Sequence, residues 1–187
     1  SHHPELLIAA AAALTKGIRL GSGAVLLNHY SPFKVAEMFK QLEAMYPGRI
    51  DLGIGRATAG PMIDIALKRD RQSRSVDDYC AQLSEVIAWL YNAFPEGHPF
   101  ADKPLMPSVE SNPDVWLLGS SPGGAQFAAQ LGIGYAFAGF INPRAAAMAL
   151  QSYRRHFTVT QFGAGAPRAM LGVNVSAGET DEEGERL

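Results

Sequence analysis

Short glycine-bearing apolar runs alternate with longer amphipathic stretches along the whole chain, and this rhythm constrains the fold most. Ile18–Leu27 reads as a strand with glycines at 21 and 23, Ile50–Gly55 as a second and Val115–Leu118 as a third. Ile133–Phe140 and Ala169–Val175 read as the fourth and fifth. Between them lie helical patterns. Pro4–Lys16 is closed by Gly17, and Ser31-Pro32 opens a helix with apolar face Phe33, Val35, Ala36, Phe39, Leu42 and Met45. Ser75 is positioned to cap a helix running through Tyr91, with Asp77 and Asp78 near its positive end. Gly124–Leu131 ends at Gly132, Pro143–Phe157 is helical, and Thr180 to Glu183 forms a capping box. Strand followed by helix, five times over, predicts parallel βαβ units with right-handed crossovers. Val115-Trp116-Leu117-Leu118 is apolar on both faces, as a helix-covered sheet requires. Periodicity admits either an open doubly wound sheet or a (β/α)8 barrel. Both put the functional site at the carboxyl ends of the strands.

The 187 residues suit a single domain, 1–187. Apolar residues are 47% and charged residues 18%, which excludes a disordered chain. A net charge of −2 with scattered cations gives no basic surface for nucleic acid. No apolar run is long enough to cross a bilayer. Cys80 is the single cysteine, so an internal disulfide is impossible; it is expected to be a buried or half-buried, inert thiol compatible with the cytoplasm. The Pro-, Gly- and Ser-rich stretch 92–113 reads as a long excursion within the domain. Both ends of the chain read as internal to a longer pattern: Ser1-His2-His3 runs straight into a helix, and Leu187 falls in the first turns of another.

Three strand ends carry unusual residues. In Gly21-Ser22-Gly23-Ala24, glycines inside a strand allow either close approach of a flat ring or a bend of the sheet. Arg56 directly follows a buried strand, where its planar fork suits phosphate or, equally, a surface carboxylate. Ser120-Ser121-Pro122-Gly123-Gly124 enters a helix, so its hydroxyls and free N–H groups make an anion site or a plain cap. It is neither a Walker loop nor a dinucleotide fingerprint. His29 follows the first strand and either faces the pocket, as the candidate active-site imidazole, or equally supports the loop before the Ser31 cap, while His98 and His156 fall in solvated contexts. No histidine pair has metal-ligand spacing, so no metal site is expected.

Together these segments resemble the bacterial luciferase-like monooxygenase family, in its single-component, non-luminescent branch. The resemblance runs in order from Pro4-Glu5-Leu6-Leu7-Ile8 through Pro47–Ala57 and Val115–Ser121 to Glu179–Glu183. It implies a (β/α)8 TIM barrel of which this chain carries about strands 3 to 7, with the first two strands and the last absent. It implies reduced FMN, supplied by a separate flavin reductase, that reacts with O2 to oxidise a small aldehyde-like substrate; a homodimer is the expected assembly. A non-proline cis peptide against the flavin ring is implied at Gly23–Ala24. Phosphate contacts are implied at Arg56, Ser120 and the Gly123 backbone, with Ser121 adjacent. The family's active-site histidine follows its second strand, so His2-His3 are a further possible match. Gly55 stands where luciferase has a reactive cysteine. An F420-dependent oxidoreductase of the same fold and a non-catalytic flavin-binding protein are the alternatives.

Overall fold

A computed structural model describes residues 3–57, 60–67, 78–184 and 186. Six strands form one parallel sheet. β1 (Leu20–Gly21) and β2 (Val25–Leu26) pair in succession with β3 (Ile50–Gly55), followed by β4 (Asp114–Gly119), β5 (Gly134–Ala138) and β6 (Ala169–Gly172). The sheet is curled, and the architecture is mixed α/β. Around it run α1 (Pro4–Leu14), α2 (Pro32–Met45), α3 (Pro61–Leu67), α4 (Tyr79–Tyr91), α5 (Pro122–Leu131), α6 (Ala146–Arg155) and α7 (Asp181–Gly184).

The two-residue alternation of each strand divides the sheet into two unlike faces. Ile50, Leu52 and Ile54 of β3, Val115 and Leu117 of β4, and Tyr135 and Phe137 of β5 turn toward the helices. There they join Val35, Phe39, Leu83, Val86, Ala125 and Ala149 in one continuous core. The opposite face carries Asp51, Gly53 and Gly55 beside Asp114, Trp116 and Leu118, then Gly134 and Ala136. Trp116 is buried yet stands apart from the helix-side core.

That second face is layered. At the amino ends of the strands Arg19 bonds both oxygens of Asp51 and reaches Asp114 at 2.7 Å, while Arg168 meets Asp114 at 2.8 Å. Trp116 donates to Asp51 at 3.0 Å and lies under the Arg168 guanidinium, 5.0 Å from its ring centre. Glycine is obligatory around this layer. A Cβ on Gly134 would sit 2.4 Å from the indole, and one on Gly53 would sit 2.0 Å from the Ser22 carbonyl. At the carboxyl ends the layer is small and apolar, and there the site begins.

Several sequence expectations are corrected. The run 18–27 is two short strands, because the chain bends at Ser22–Ala24 and then enters a 3-10 turn, Leu27–His29. The expected fourth and fifth strands close earlier, at Ala138 and Gly172. The expected helix 143–157 is a 3-10 turn followed by α6. Met45 is 51% exposed, and the α2 face instead buries Lys40 and Glu43. Each of those has polar partners: Lys40 donates to the Ser111 carbonyl and Asn112 Oδ1, and Glu43 accepts from the Gly48 amide. Cys80 is exposed, since the buried face of α4 is Leu83, Val86, Ile87 and Leu90. His98 is packed, its ring stacked 4.7 Å from Phe94 and edge-on to Phe100. Ser75 and Asp77 lie outside the described residues.

Candidate functional site at the carboxyl edge of the sheet

Parallel registers bring the strand ends together. Leu26 pairs with Gly55, Gly55 with Leu118, and Leu118 with Ala136, so four neighbouring strands end in one small apolar row. The Gly23–Ala24 peptide, in the bend before β2, is cis. A Cβ on Gly23 would stand 3.9 Å from the Leu118 side chain, and one on Gly55 would stand 3.0 Å from the Ala24 methyl. Gly23, Ala24, Gly55 and Leu118 therefore share one patch. Side chains larger than these would fill the space above the Trp116 layer.

Arg56 is exposed at the first position beyond β3, and the register sets it beside the end of β4. From that end the chain passes through Ser120 and Ser121 into α5. The helix begins at Pro122, two residues earlier than its apolar pattern suggests, with Ser121 as its N-cap. Ser121 Oγ accepts from the Gly124 amide at 3.4 Å, so this hydroxyl is engaged in capping. Pro122 has no N–H, which leaves the Gly123 amide at the open end of the helix. A Cβ on Gly123 would meet nothing closer than Ser121 Oγ at 4.0 Å, so the approach to that amide is clear. Two groups that the sequence did not single out brace this loop. Tyr135 donates to the Ser121 carbonyl at 3.0 Å, and Asn142 donates to the Ser120 carbonyl at 3.3 Å. Burial pushes the Tyr135 hydroxyl up to about 12, so it stays a donor throughout the neutral range.

His29 lies on the other flank. It ends the 3-10 turn after β2, with its side chain only 6% exposed. Its Nε2 is 3.3 Å from Asp64 Oδ1 on α3 and 3.2 Å from the Asn28 amide nitrogen, which also donates to the Ala57 carbonyl. The structure thus groups Gly23 and Ala24 with the sheet edge, Arg56 with Ser120 to Gly123, and His29 with Asp64. Periodicity gave no signal for Asp64, Tyr135 or Asn142, because each acts through a contact distant in sequence. His2 is outside the described residues. His3 borders the His29 pocket but is exposed, and its Nδ1 lies 3.4 Å from Glu5.

The family model described as luciferase-like monooxygenase matches residues 2–187. This chain belongs to the luciferase-like monooxygenase family. Among its curated relatives, the N-acetyl-S-alkylcysteine monooxygenase of Bacillus subtilis is 38% identical over 183 residues, covering 98% of this chain and 54% of that protein. Crystalline apo-MsnO8 superimposes with a TM-score of 0.85 at 44% identity, over 98% of this chain and 53% of that one. The oxygenating constituent of 3,6-diketocamphane monooxygenase from Pseudomonas putida, solved in complex with FMN, matches with a TM-score of 0.68 at 25% identity. That match covers 98% of this chain and 56% of the other. The chain spans about half the length of the curated relatives it matches. Among the described residues of this family member, no helix is long and apolar enough to cross a membrane.

Proposed function

We propose that the chain is the flavin-holding portion of a monooxygenase that uses reduced FMN and O2 to oxidise a small organic, aldehyde-like substrate. The observation that supports this reading is that the parallel register sets the end of β3, which Arg56 follows, beside the end of β4, from which Ser120 to Gly123 lead into α5. We read Arg56, the Ser120 hydroxyl and the Gly123 amide as a phosphate grip at one end of a small-residue floor. A guanidinium and an open helix N-terminus together favour a doubly charged phosphate monoester. The floor of Gly23, Ala24, Gly55 and Leu118 offers a flat apolar rest for a tricyclic ring, and a Cβ at Gly23 or Gly55 would intrude on it. These residues fit FMN.

Bound reduced FMN supplies the two electrons that let O2 place one oxygen atom in product and the other in water. The chain's own groups bind and orient. Arg56 and Gly123 anchor the phosphate, Ser121 is spent on holding the α5 N-terminus open, and Tyr135 and Asn142 keep that loop in place. His29, backed by Asp64, lines the same pocket as Ala24. In the whole protein a separate reductase delivers the flavin and the working assembly is a homodimer in the cytoplasm.

F420 is the alternative cofactor, and titration of both compounds separates the two. Turnover is tested by mixing the protein and reduced FMN with oxygenated buffer and following flavin absorbance. Enzyme chemistry predicts a time course unlike that of free reduced flavin. A superimposable course points instead to a non-catalytic flavin binder.

A further inference from the structure

A pocket of about 260 Å³ is bordered by Ala24 of the floor. Its walls are mostly apolar: Pro4, Ala24, Val25, Leu26 and Leu67 contribute. Its volume is just under the ~300–1,000 Å³ typical of sites for drug-sized ligands. Two imidazoles and a phenol interrupt the apolar lining: His3, His29 and Tyr30. His3 is 70% exposed and forms the mouth.

His29 is different. Its side chain is 6% exposed, and Nε2 faces both Asp64 at 3.3 Å and Asn28 at 3.2 Å. Among the described residues Nδ1 has no hydrogen-bond partner. His29 lines the cavity, so this nitrogen is left for a ligand atom to meet. Asp64 is brought here by α3, which also supplies Leu67 to the wall. Tyr30 adds a hydroxyl whose pKa is raised by burial and by the nearby Glu5, so it stays an O–H donor at neutral pH.

We propose that this pocket holds a small, largely apolar ligand through one polar atom bonded to His29 Nδ1, with Asp64 as the positioning residue that fixes the ring. The inference deepens the flavin reading, since it makes the pocket beside Ala24 the substrate side of the same site. Fixing the imidazole at Nε2 does two things. It holds the ring plane, and with Nε2–H donated to the Asp64 carboxylate it leaves Nδ1 as an acceptor that meets a hydroxyl or N–H of the ligand. Asp64 joins α3 to the site, so the helix after Arg56 takes part in ligand capture.

Cyclohexanol, whose hydroxyl can donate to Nδ1, serves as probe and cyclohexane as its apolar counterpart. Imidazole ¹⁵N resonances of histidine-labelled protein are recorded during each titration, with His29→Gln used for assignment. The same samples are titrated with FMN. The proposal expects cyclohexanol to move the His29 signals saturably, to bind at least about fivefold more tightly than cyclohexane, and to leave His98 and His156 unmoved. Asp64→Asn is expected to change the His29 nitrogen shifts before any ligand is added and to weaken the probe by about fivefold or more. Asp64→Glu restores both in large part, which a purely structural role would not require. Leu67→Trp, which narrows the pocket and leaves the His29–Asp64 contact in place, also abolishes the response. Unmoved His29 signals in the wild-type protein, or a probe affinity indifferent to Asp64→Asn, overturn the proposal even where FMN binds normally. An intact His29 response in protein that fails to bind FMN overturns the flavin reading and leaves the pocket standing as a ligand site.

Discussion

Tyr135 Oη lies 3.0 Å from the carbonyl oxygen of Ser121, and this one bond ties β5 to the loop that enters α5. The hydroxyl is carried by a fully buried ring of the core, so the loop is referenced to the most rigid part of the sheet. Tyr135→Phe keeps the ring and removes the donor. The expected cost is about 1 kcal/mol in urea denaturation, the net worth of an ordinary hydrogen bond. FMN affinity is expected to fall severalfold in the same variant, because the Gly123 amide loses its fixed direction.

Two glycines on the inner face are expected to resist any side chain. Gly53→Ala would place its Cβ 2.0 Å from the Ser22 carbonyl, and Gly134→Ala would place one 2.4 Å from the Trp116 ring. Both neighbours are held by the sheet, so each variant is expected to lose about 1–3 kcal/mol or more through overpacking. Gly17→Ala meets nothing within 4 Å and is the matched control, with little change expected. Urea midpoints of the three variants check the contrast.

Lys40 is a buried ammonium that pins the start of β4's approach to α2 through Ser111 and Asn112. Lys40→Met keeps the aliphatic stem but strands two acceptors. The expected loss is about 1–3 kcal/mol. Limited proteolysis is expected to cut within 92–113 sooner than in the parent chain, and an unchanged digestion pattern would contradict this role.

Alkaline pH should unfold the protein through its tyrosines. Tyr91 and Tyr135 are both pushed up to about 12 by burial, and Tyr79 is pushed still higher. A hydroxyl whose folded pKa is raised contributes full stability below the unfolded pKa, near 10, and loses it as pH climbs through the folded value. Stability is therefore expected to be level up to about pH 9 and to fall between about pH 10 and 12. Tyrosinate absorbance should lag behind that of the denatured chain across the same window.

The sequence made the βα rhythm legible because burial on both faces leaves continuous apolar runs such as Val115 to Leu118. Three strand ends stood out because glycine, arginine and clustered serines are anomalous beside such runs. What stayed hidden depends on contacts across the fold. Asp64 meets His29 from a helix 35 residues away. Ser121 looked like a phosphate ligand, yet its hydroxyl caps α5, and only the register of Pro122 reveals that. The layer of Arg19, Asp51, Asp114 and Arg168 escaped notice for the same reason, since its members are up to 149 positions apart along the chain. The bend at Ser22–Ala24 was one of two readings its glycines allowed, and its division of 18–27 into two strands stayed hidden because Val25 and Leu26 resume the apolar pattern.

The grip on a phosphate at Arg56 and the α5 N-terminus is the centre of the account, and a paired titration with FMN and riboflavin tests it most directly. Calorimetry is expected to show FMN binding the wild-type chain at least tenfold more tightly than riboflavin. Arg56→Ala should weaken FMN by about 1.5–3 kcal/mol, the worth of a charge-assisted bond, and leave riboflavin nearly unchanged. Equal affinities for FMN and riboflavin in the wild-type chain, or an FMN affinity indifferent to Arg56→Ala, would contradict it.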